Sequence, residues 1–586
     1  MASTTPAPIS RAQYRAAVRA LQGLNPGLPS QGQVPETTAF FAMARSGIAP
    51  KMPAMAHAFS PAANETLPRW PLLAAAILAA LLLGAMLIAT EGHFVYALDD
   101  AYIHLAFAEQ LAAGHFGLTP QEIASPSSSI LWPLLLVPLS GTFAHQFVPL
   151  ALGLAALLVS VLLWQFVLQN FVLKPLPSRD RATMGGVLAL VAVAAGGQMG
   201  APFTGMEHAV QALLALAVVA GLIEFVATGR LRWWLLAAIA LGPLIRYENL
   251  SFSLVAIALL CWRGQWRPAL AALLAIALGI AGYALAANAA GLPPLPGSAL
   301  TKSAISGAAP LHSLYYLLRG SLEAIARGEA NFLLLLALAA IGLRALLPGP
   351  MPSRLETLFG LGIFACVAAQ LALAGSHHLA RYDLYAVAGG LMGAAYLHRE
   401  SLARALARLD GWRLAAIAVV LAVLCAPTTL AMLALTPFAA QDIYRQQYQM
   451  RRFALEQAQT RIAVNDAGLM AYRNPYGMFD VVGLGSEAMR LAWRDQSLGA
   501  DTVKTMLAQR GIDTLMIYPQ WFAPRLLDGA IPVARFHLGR RKIVVSEDTV
   551  VLLAMTPAAA ARLRAQAAAF APTMPAGTRL EVLEGR

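Results

Sequence analysis

Charge is what this chain has least of. Only 12% of its 586 residues are Asp, Glu, Lys or Arg, about half the share of a soluble globular protein, and 58% are hydrophobic. Long runs bare of charge exclude a soluble fold and point to a polytopic α-helical membrane protein. Cysteine is scarce too. Cys261, Cys366 and Cys425 all lie inside apolar runs, which excludes a disulfide framework and leaves them as small core residues. The net charge of +12 does not call for nucleic acid, because the basic residues occupy short loops between apolar runs, where they set orientation. Residues 1–69 lack the apolar core of a cleavable signal peptide. Rich in Ala, Pro, Ser and Gln, they read as a largely disordered cytoplasmic tail, in which Arg11 to Arg19 is a candidate for a short surface helix.

The apolar runs give about eleven expected spans, near 71–90, 146–172, 184–200, 207–226, 232–246, 248–262, 267–289, 331–347, 357–375, 381–397 and 412–435. Ile130 to Leu139 is too short to span and reads as an interfacial or re-entrant helix. Lys174, Arg179 and Arg181 share one loop, Arg230 and Arg232 another, and Arg399, Arg404, Arg408 and Arg413 a third. If these loops and the basic N-terminal tail are cytoplasmic, residues 91–145, 291–330 and 437–586 face outward. The membrane domain then runs over 70–436. The last segment is mixed polar, and Arg461-Ile-Ala-Val, Phe479-Asp-Val-Val, Asp513-Thr-Leu-Met-Ile-Tyr, Lys542-Ile-Val-Val and Thr549-Val-Val-Leu-Leu read as short strands. With helices near 486–510 and 557–571 between them, they imply a small extracytoplasmic α/β domain. Trp233-Trp234 reads as an interfacial anchor.

One absence is local. The stretch from Glu91 to Ser129 contains no Lys or Arg, yet it carries the adjacent carboxylates Asp99 and Asp100 just beyond the first span. Carboxylates at a membrane boundary are costly to desolvate and mark functional sites.

The sequence around them, Asp99-Asp-Ala-Tyr102-Ile-His104, followed by Ser125-Pro-Ser-Ser-Ser-Ile-Leu-Trp132, resembles the first outer loop of GT-C glycosyltransferases. These bacterial membrane enzymes take a sugar from a polyprenyl-phosphate donor, and the likeness is to their arabinofuranosyltransferase-like branch. Thr204-Gly-Met-Glu207 is similar to that branch's Ser-Gly-Met-Glu, and Arg246-Tyr-Glu248 to its Arg-Pro-Glu. Leu295-Pro-Gly-Ser-Ala-Leu-Thr-Lys302 is similar to a Leu-Pro-Asn-Thr…Lys segment that has Asn where this chain does not. His377-His378-Leu-Ala-Arg381-Tyr382 stands at an Arg-Tyr position, and Val464-Asn-Asp-Ala-Gly468 and Asp480-Val-Val-Gly-Leu484 resemble its outer domain.

The resemblance implies a glycosyltransferase of the bacterial inner membrane with its C-terminus in the periplasm. It would move a sugar, a pentofuranose being one candidate, to a cell-envelope glycan or lipid. Asp99 and Asp100 would be catalytic, and Lys302, Arg246 and Arg381 would bind the donor phosphate. Tyr102, His104, Glu207, Glu248, His377, His378 and Tyr382 would line the pocket. The chemistry is consistent with such a set: transfer needs a base for the acceptor proton and cations for the leaving phosphate, and paired carboxylates raise one another's pKa. Asp99 is the favoured base, Asp100 being better placed to cap a helix beginning at Ala101. A lone base with no matching nucleophile fits inverting displacement.

Simpler readings accompany these. Asp100 as a helix cap, Arg381 snorkelling to headgroups and Glu207 with Glu248 as structural carboxylates each explain the same residues. Asn465-Asp466 reads as a helix start. No cofactor follows from the sequence, although a divalent metal, Mg²⁺ or Ca²⁺, is a candidate bridge to phosphate. The alternative function is a transporter or flippase for a lipid-linked sugar, and a phosphoryl-type envelope transferase lacks its metal and nucleophile set here.

Overall fold

The computed structural model describes residues 67–296, 332–344, 353–373, 381–407, 432–495, 497–522 and 524–584. The tail, most of the 291–330 loop with Lys302, the pair His377 and His378, Cys425 and most of the 412–435 span lie outside the described residues. Helices, most of them apolar, build the first part. They are α1 (Trp70–Ala89), the short α2 (Asp100–Ala112) and α3 (Leu131–Leu136), then α4 (Val148–Val167), α5 (Ser178–Ala195), α6 (His208–Thr228), α7 (Trp233–Ile245), α8 (Leu250–Trp262), α9 (Trp266–Ala289), α10 (Phe332–Leu343), α11 (Arg354–Leu373), α12 (Leu384–Leu397) and α13 (Arg399–Ala407).

Among the described residues, five helices are long and apolar enough to cross a membrane: Trp70–Ala89, Phe143–Val172, His208–Thr228, Trp266–Ala289 and Arg354–Ala372. Four shorter apolar helices, Trp233–Ile245, Tyr247–Trp262, Leu333–Leu343 and Leu384–Leu397, accompany them. α6 is the hub, packing against α4, α7 and α12. α1 and α9 leave Leu81, Ile88, Leu278 and Leu285 exposed, as helices with an apolar surround do. The expected short helix after Ile130 is α3, six residues long. Cys366 is buried as expected, but Cys261 sits on an exposed face rather than in the core. Trp233 is exposed at the start of α7.

α7 shows how local sequence sets up the site. Pro243, inside its last turn, cannot donate to the carbonyl four residues back. The Ser253 hydroxyl of α8 donates to that Ile239 carbonyl instead, at 2.8 Å. The helix stops at Ile245, and Arg246 follows in extended conformation.

Helical residues 432–445 lead through α14 (Gln447–Phe453) into a six-stranded mixed sheet. Its strands are β1 (Ile462–Val464), β2 (Met478–Asp480), β3 (Thr514–Ile517), β4 (Ile531–His537), β5 (Thr549–Ala554) and β6 (Arg579–Val582). They run in the order β2-β1-β3-β5-β4-β6. β2, β1 and β3 are parallel, and β5, β4 and β6 continue antiparallel. Between strands lie α15 (Gly468–Ala471), α16 (Glu487–Arg494), α17 (Ala500–Gln509) and α18 (Pro557–Phe570). The expected single helix over 486–510 is therefore two.

The Lys542-Ile-Val-Val strand is also corrected. The Asp442 carboxylate accepts the N–H groups of Ile543, at 2.5 Å, and Val544, at 3.0 Å, and pairs with Arg540. That segment is thereby tied to the linker helix rather than to a ladder, and β5 pairs with β4.

Candidate functional site

Six segments converge where the loop 91–145 meets the sheet domain. They are the start of α2 (Asp99, Asp100), the start of α6 (Glu207), the α7–α8 junction (Arg246 to Glu248), the approach to α12 (Arg381, Tyr382) and the carboxyl ends of β1 and β3 (Asp466, Tyr518). In open α/β sheets the carboxyl ends of parallel strands, where the connections diverge, are the usual binding edge. Here β1 is the central parallel strand, flanked by β2 and β3.

The first two carboxylates have different surroundings. Asp99 is buried. Its Oδ2 accepts the Gly468 N–H at 2.8 Å and its Oδ1 the Leu469 N–H at 2.9 Å, so it satisfies the free amides that open α15. A Cβ on Gly468 would meet Asp99 Oδ2 at 2.6 Å. Asp100 is the first residue of α2, and its side chain is 45% exposed with Oδ2 2.9 Å from Arg381 Nη1. α2 therefore begins one residue earlier than expected, and no side chain caps it. The geometry separates the two: Asp99 is taken up by the amides of Gly468 and Leu469, and Asp100 is the more accessible carboxylate.

Burial, reinforced by Asp466, pushes the Asp99 carboxyl up to about 8, with the two amide hydrogen bonds opposing. Asp466 is raised as well, by burial first, although Gln447 Nε2 at 2.7 Å and Tyr518 Oη at 2.9 Å donate to it. An acid whose folded pKa exceeds its ordinary value of about 3.9 binds more protons folded than unfolded between the two values, so stability falls as pH rises through that window. The expected result is a lower melting temperature at pH 8 than at pH 5, with a flatter profile in Asp99→Asn. Thermal melts followed by tryptophan fluorescence check it, and a profile rising over that range contradicts it.

The three cations expected at phosphate differ as well. Arg246 is fully committed. Its Nε and Nη2 donate to Glu248 at 3.1 and 2.6 Å, and Nη1 donates to Glu207 at 2.7 Å and to Ser128 at 3.2 Å. Arg381 is buried, and among the described residues its Nε makes no hydrogen bond. Its Nη2 donates to Tyr382 Oη at 3.1 Å. Both guanidinium groups lie over the Tyr382 ring, at 5.4 Å for Arg246 and 5.0 Å for Arg381. Lys302 lies outside the described residues.

Glu207 and Glu248 thus share one arginine, and Glu207 also faces His104 Nε2 at 3.5 Å. The motif before it has a steric reason. Gly205 has φ +69, and a Cβ there would meet Ala101 at 2.5 Å and Tyr96 at 2.7 Å. The turn into α6 can therefore press against the start of α2. Tyr102 is buried, and its hydroxyl accepts the Tyr96 N–H at 3.2 Å, a packing role beside the site. His208, which sequence reasoning passed over, packs edge-on to Tyr382, and among the described residues neither of its ring nitrogens has a hydrogen-bond partner.

The serine run is used residue by residue. Ser127 Oγ lies 3.2 Å from His104 Nδ1 and accepts the Ser129 N–H at 3.0 Å. Ser128 meets Arg246. Ser129 Oγ accepts the Trp132 N–H in the first turn of α3 at 3.0 Å. Asp466 and Tyr518 were missed as members of the site, because nothing local to either shows that the loop 91–145 will lie against it. Asp480 turns its own loop, accepting from Val482 and Gly485 at 2.8 and 2.6 Å, and burial pushes it up to about 6.

Asp99 is occupied by amides and Asp100 by Arg381, and among the described residues no three His, Cys, Asp or Glu side chains are grouped to hold a metal.

A family model described as a domain of unknown function, DUF8728, matches residues 441–564. The match takes in Asp466, Asp480 and Tyr518 and leaves out the helices before residue 432. None of the curated proteins matches the chain.

Proposed function

We propose that the chain is an integral membrane glycosyltransferase of GT-C type. About eleven spans would hold the loop 91–145 and the sheet domain at the outer face of a bacterial inner membrane. It would transfer a sugar from a polyprenyl-phosphate donor to a cell-envelope glycan or lipid. The observation that carries this reading is the accessible Asp100 carboxylate 2.9 Å from the buried Arg381, a base beside a phosphate-seeking cation.

In this reading Asp100 Oδ takes the proton of the acceptor hydroxyl as that oxygen attacks the anomeric carbon. The bond from that carbon to the phosphate oxygen breaks, and polyprenyl phosphate leaves with its new charge against Arg381. Before the donor arrives, Arg381 keeps Asp100 paired. A phosphate oxygen competing for the guanidinium weakens that pairing and releases the carboxylate to act as base. Attack and departure on opposite faces invert the anomeric centre. Asp99 and Arg246 act through others: Asp99 seats the sheet domain, and Arg246 fixes Glu207, Glu248 and the face of Tyr382.

Arg381→Lys is expected to lower kcat/KM for the donor about tenfold, since a point charge replaces a planar fork, while Arg246→Lys acts mainly on the folded yield. Steady-state kinetics beside thermal melts separate the two.

Membranes containing the protein, incubated with labelled polyprenyl-phosphate pentoses and hexoses, test the reading. Label in a glycan or lipid product supports it. Label that crosses the bilayer and stays on its carrier supports a flippase instead.

A further inference from the structure

Where the far end of α2 meets the sheet domain there is an open cavity of about 330 Å³. Three segments wall it: α2, residues 118–121 and residues 471–477. Its floor is apolar and buried, formed by Ala106, Leu118 and Ala471. Its rim is polar.

The rim carries unspent hydrogen-bonding groups. Among the described residues, the amide side chains of Gln110 and Gln121 make no hydrogen bond. Glu109 uses only Oε1, which accepts from Arg473 Nε at 2.9 Å and lies 3.2 Å from His145 Nδ1. Burial opposes its ionisation, but hydrogen bonds from His145 and Arg473 hold its pKa below the usual value. Its second oxygen is thus left as a charged acceptor. Arg473 sits in left-handed backbone (φ 52), a conformation that costs a non-glycine residue of order 1–3 kcal/mol and collects at ligand sites.

We infer that this cavity is a binding site for a neutral glycan, the acceptor of the proposed transfer. The charges of Glu109 and Arg473 offset one another, so the cavity selects neither an anion nor a cation. What remains is an apolar floor for the C–H face of a sugar ring, with two amides and a carboxylate oxygen to take hydroxyls. That is the division of labour of a small-molecule site with few, well-placed polar groups. Glu109 lies nine residues along α2 from Asp100, roughly 13 Å at the helical rise. The stretch Ala101 to Ala108 between them is buried, and nine residues turn the helix about two and a half times, so the cavity would hold a part of the acceptor remote from the hydroxyl that reacts.

The inference rests on the proposed function for the word acceptor but not for binding. The full-length protein in nanodiscs is mixed with short linear oligosaccharides of pentoses and of hexoses, and saturation-transfer NMR reads binding with no donor present. At least one oligosaccharide is expected to bind, and Gln110→Ala/Gln121→Ala is expected to weaken it at least tenfold with the melting temperature unchanged. In transfer assays the same variant is expected to raise acceptor KM and leave kcat and donor KM unchanged. Binding lost in the variant, with no transfer seen from any donor, keeps the glycan site and rejects the transferase. No oligosaccharide bound by wild type, or equal binding by wild type and variant, overturns the site.

Discussion

Asp100→Asn is expected to cut the rate of sugar transfer by about 10²–10⁴-fold, the contribution of a positioned general base, with the protein folded as before. The substitution keeps the volume of the side chain and a hydrogen-bonding group toward Arg381, but an amide cannot take the acceptor proton. The group is 45% exposed at the helix start and makes no cap, so folding does not depend on it. Donor KM should not rise and is expected to fall, because a neutral amide no longer competes with the phosphate for Arg381. Initial rates at matched folded concentration test this, and a rate within a few-fold of wild type removes Asp100 from the chemistry.

Gly468→Ala is expected to have the largest structural effect. The new methyl would run into the Asp99 backbone carbonyl oxygen and stand 2.6 Å from Asp99 Oδ2, closer than any real Cβ contact, and the obstruction is main chain and a carboxylate pinned by two amides rather than the free end of a flexible chain. Overpacking costs about 1–3 kcal/mol, and pushing Asp99 off Gly468 and Leu469 forfeits about 1 kcal/mol for each hydrogen bond. A loss of about 3 kcal/mol should appear as early unfolding of the sheet domain and as protease cleavage between α14 and β1. Activity should fall with it, since Asp100 is next in the chain to the displaced Asp99. Unchanged melting and protease resistance would show that α15 and Asp99 are not seated as described.

Much of the local structure was legible. Charge-free runs in the 71–90 and 267–289 regions announced α1 and α9, and Val-, Ile- and Leu-rich stretches bounded by turns announced β1, β2, β3 and β5. Two strands were hidden for physical reasons. β4 contains Pro532, and a proline speaks against a strand interior unless a bulge accommodates it; the β4–β5 register does shift between Pro532 and Ala534. β6, Arg579-Leu-Glu-Val, lies at the sheet edge and carries charge where an apolar face would have marked it.

In the site, the adjacent Asp pair and Arg381 stood out because charge is rare in this chain. The different surroundings of Asp99 and Asp100 could not be read locally. It depends on the Gly468 amide, 369 residues away in sequence. Arg246 looked like a free phosphate ligand for the same reason. Its saturation rests on Ser128 and Glu207, 118 and 39 residues away, and neither pairing leaves a periodic trace.

The most direct measurement is a single turnover of purified protein in nanodiscs with a polyprenyl-phosphate sugar labelled in both halves. Free polyprenyl phosphate appearing in step with glycosylated acceptor, and neither appearing with Asp100→Asn, is the result the account predicts. A donor recovered intact for every sugar in the presence of acceptor, with the protein folded, would contradict it.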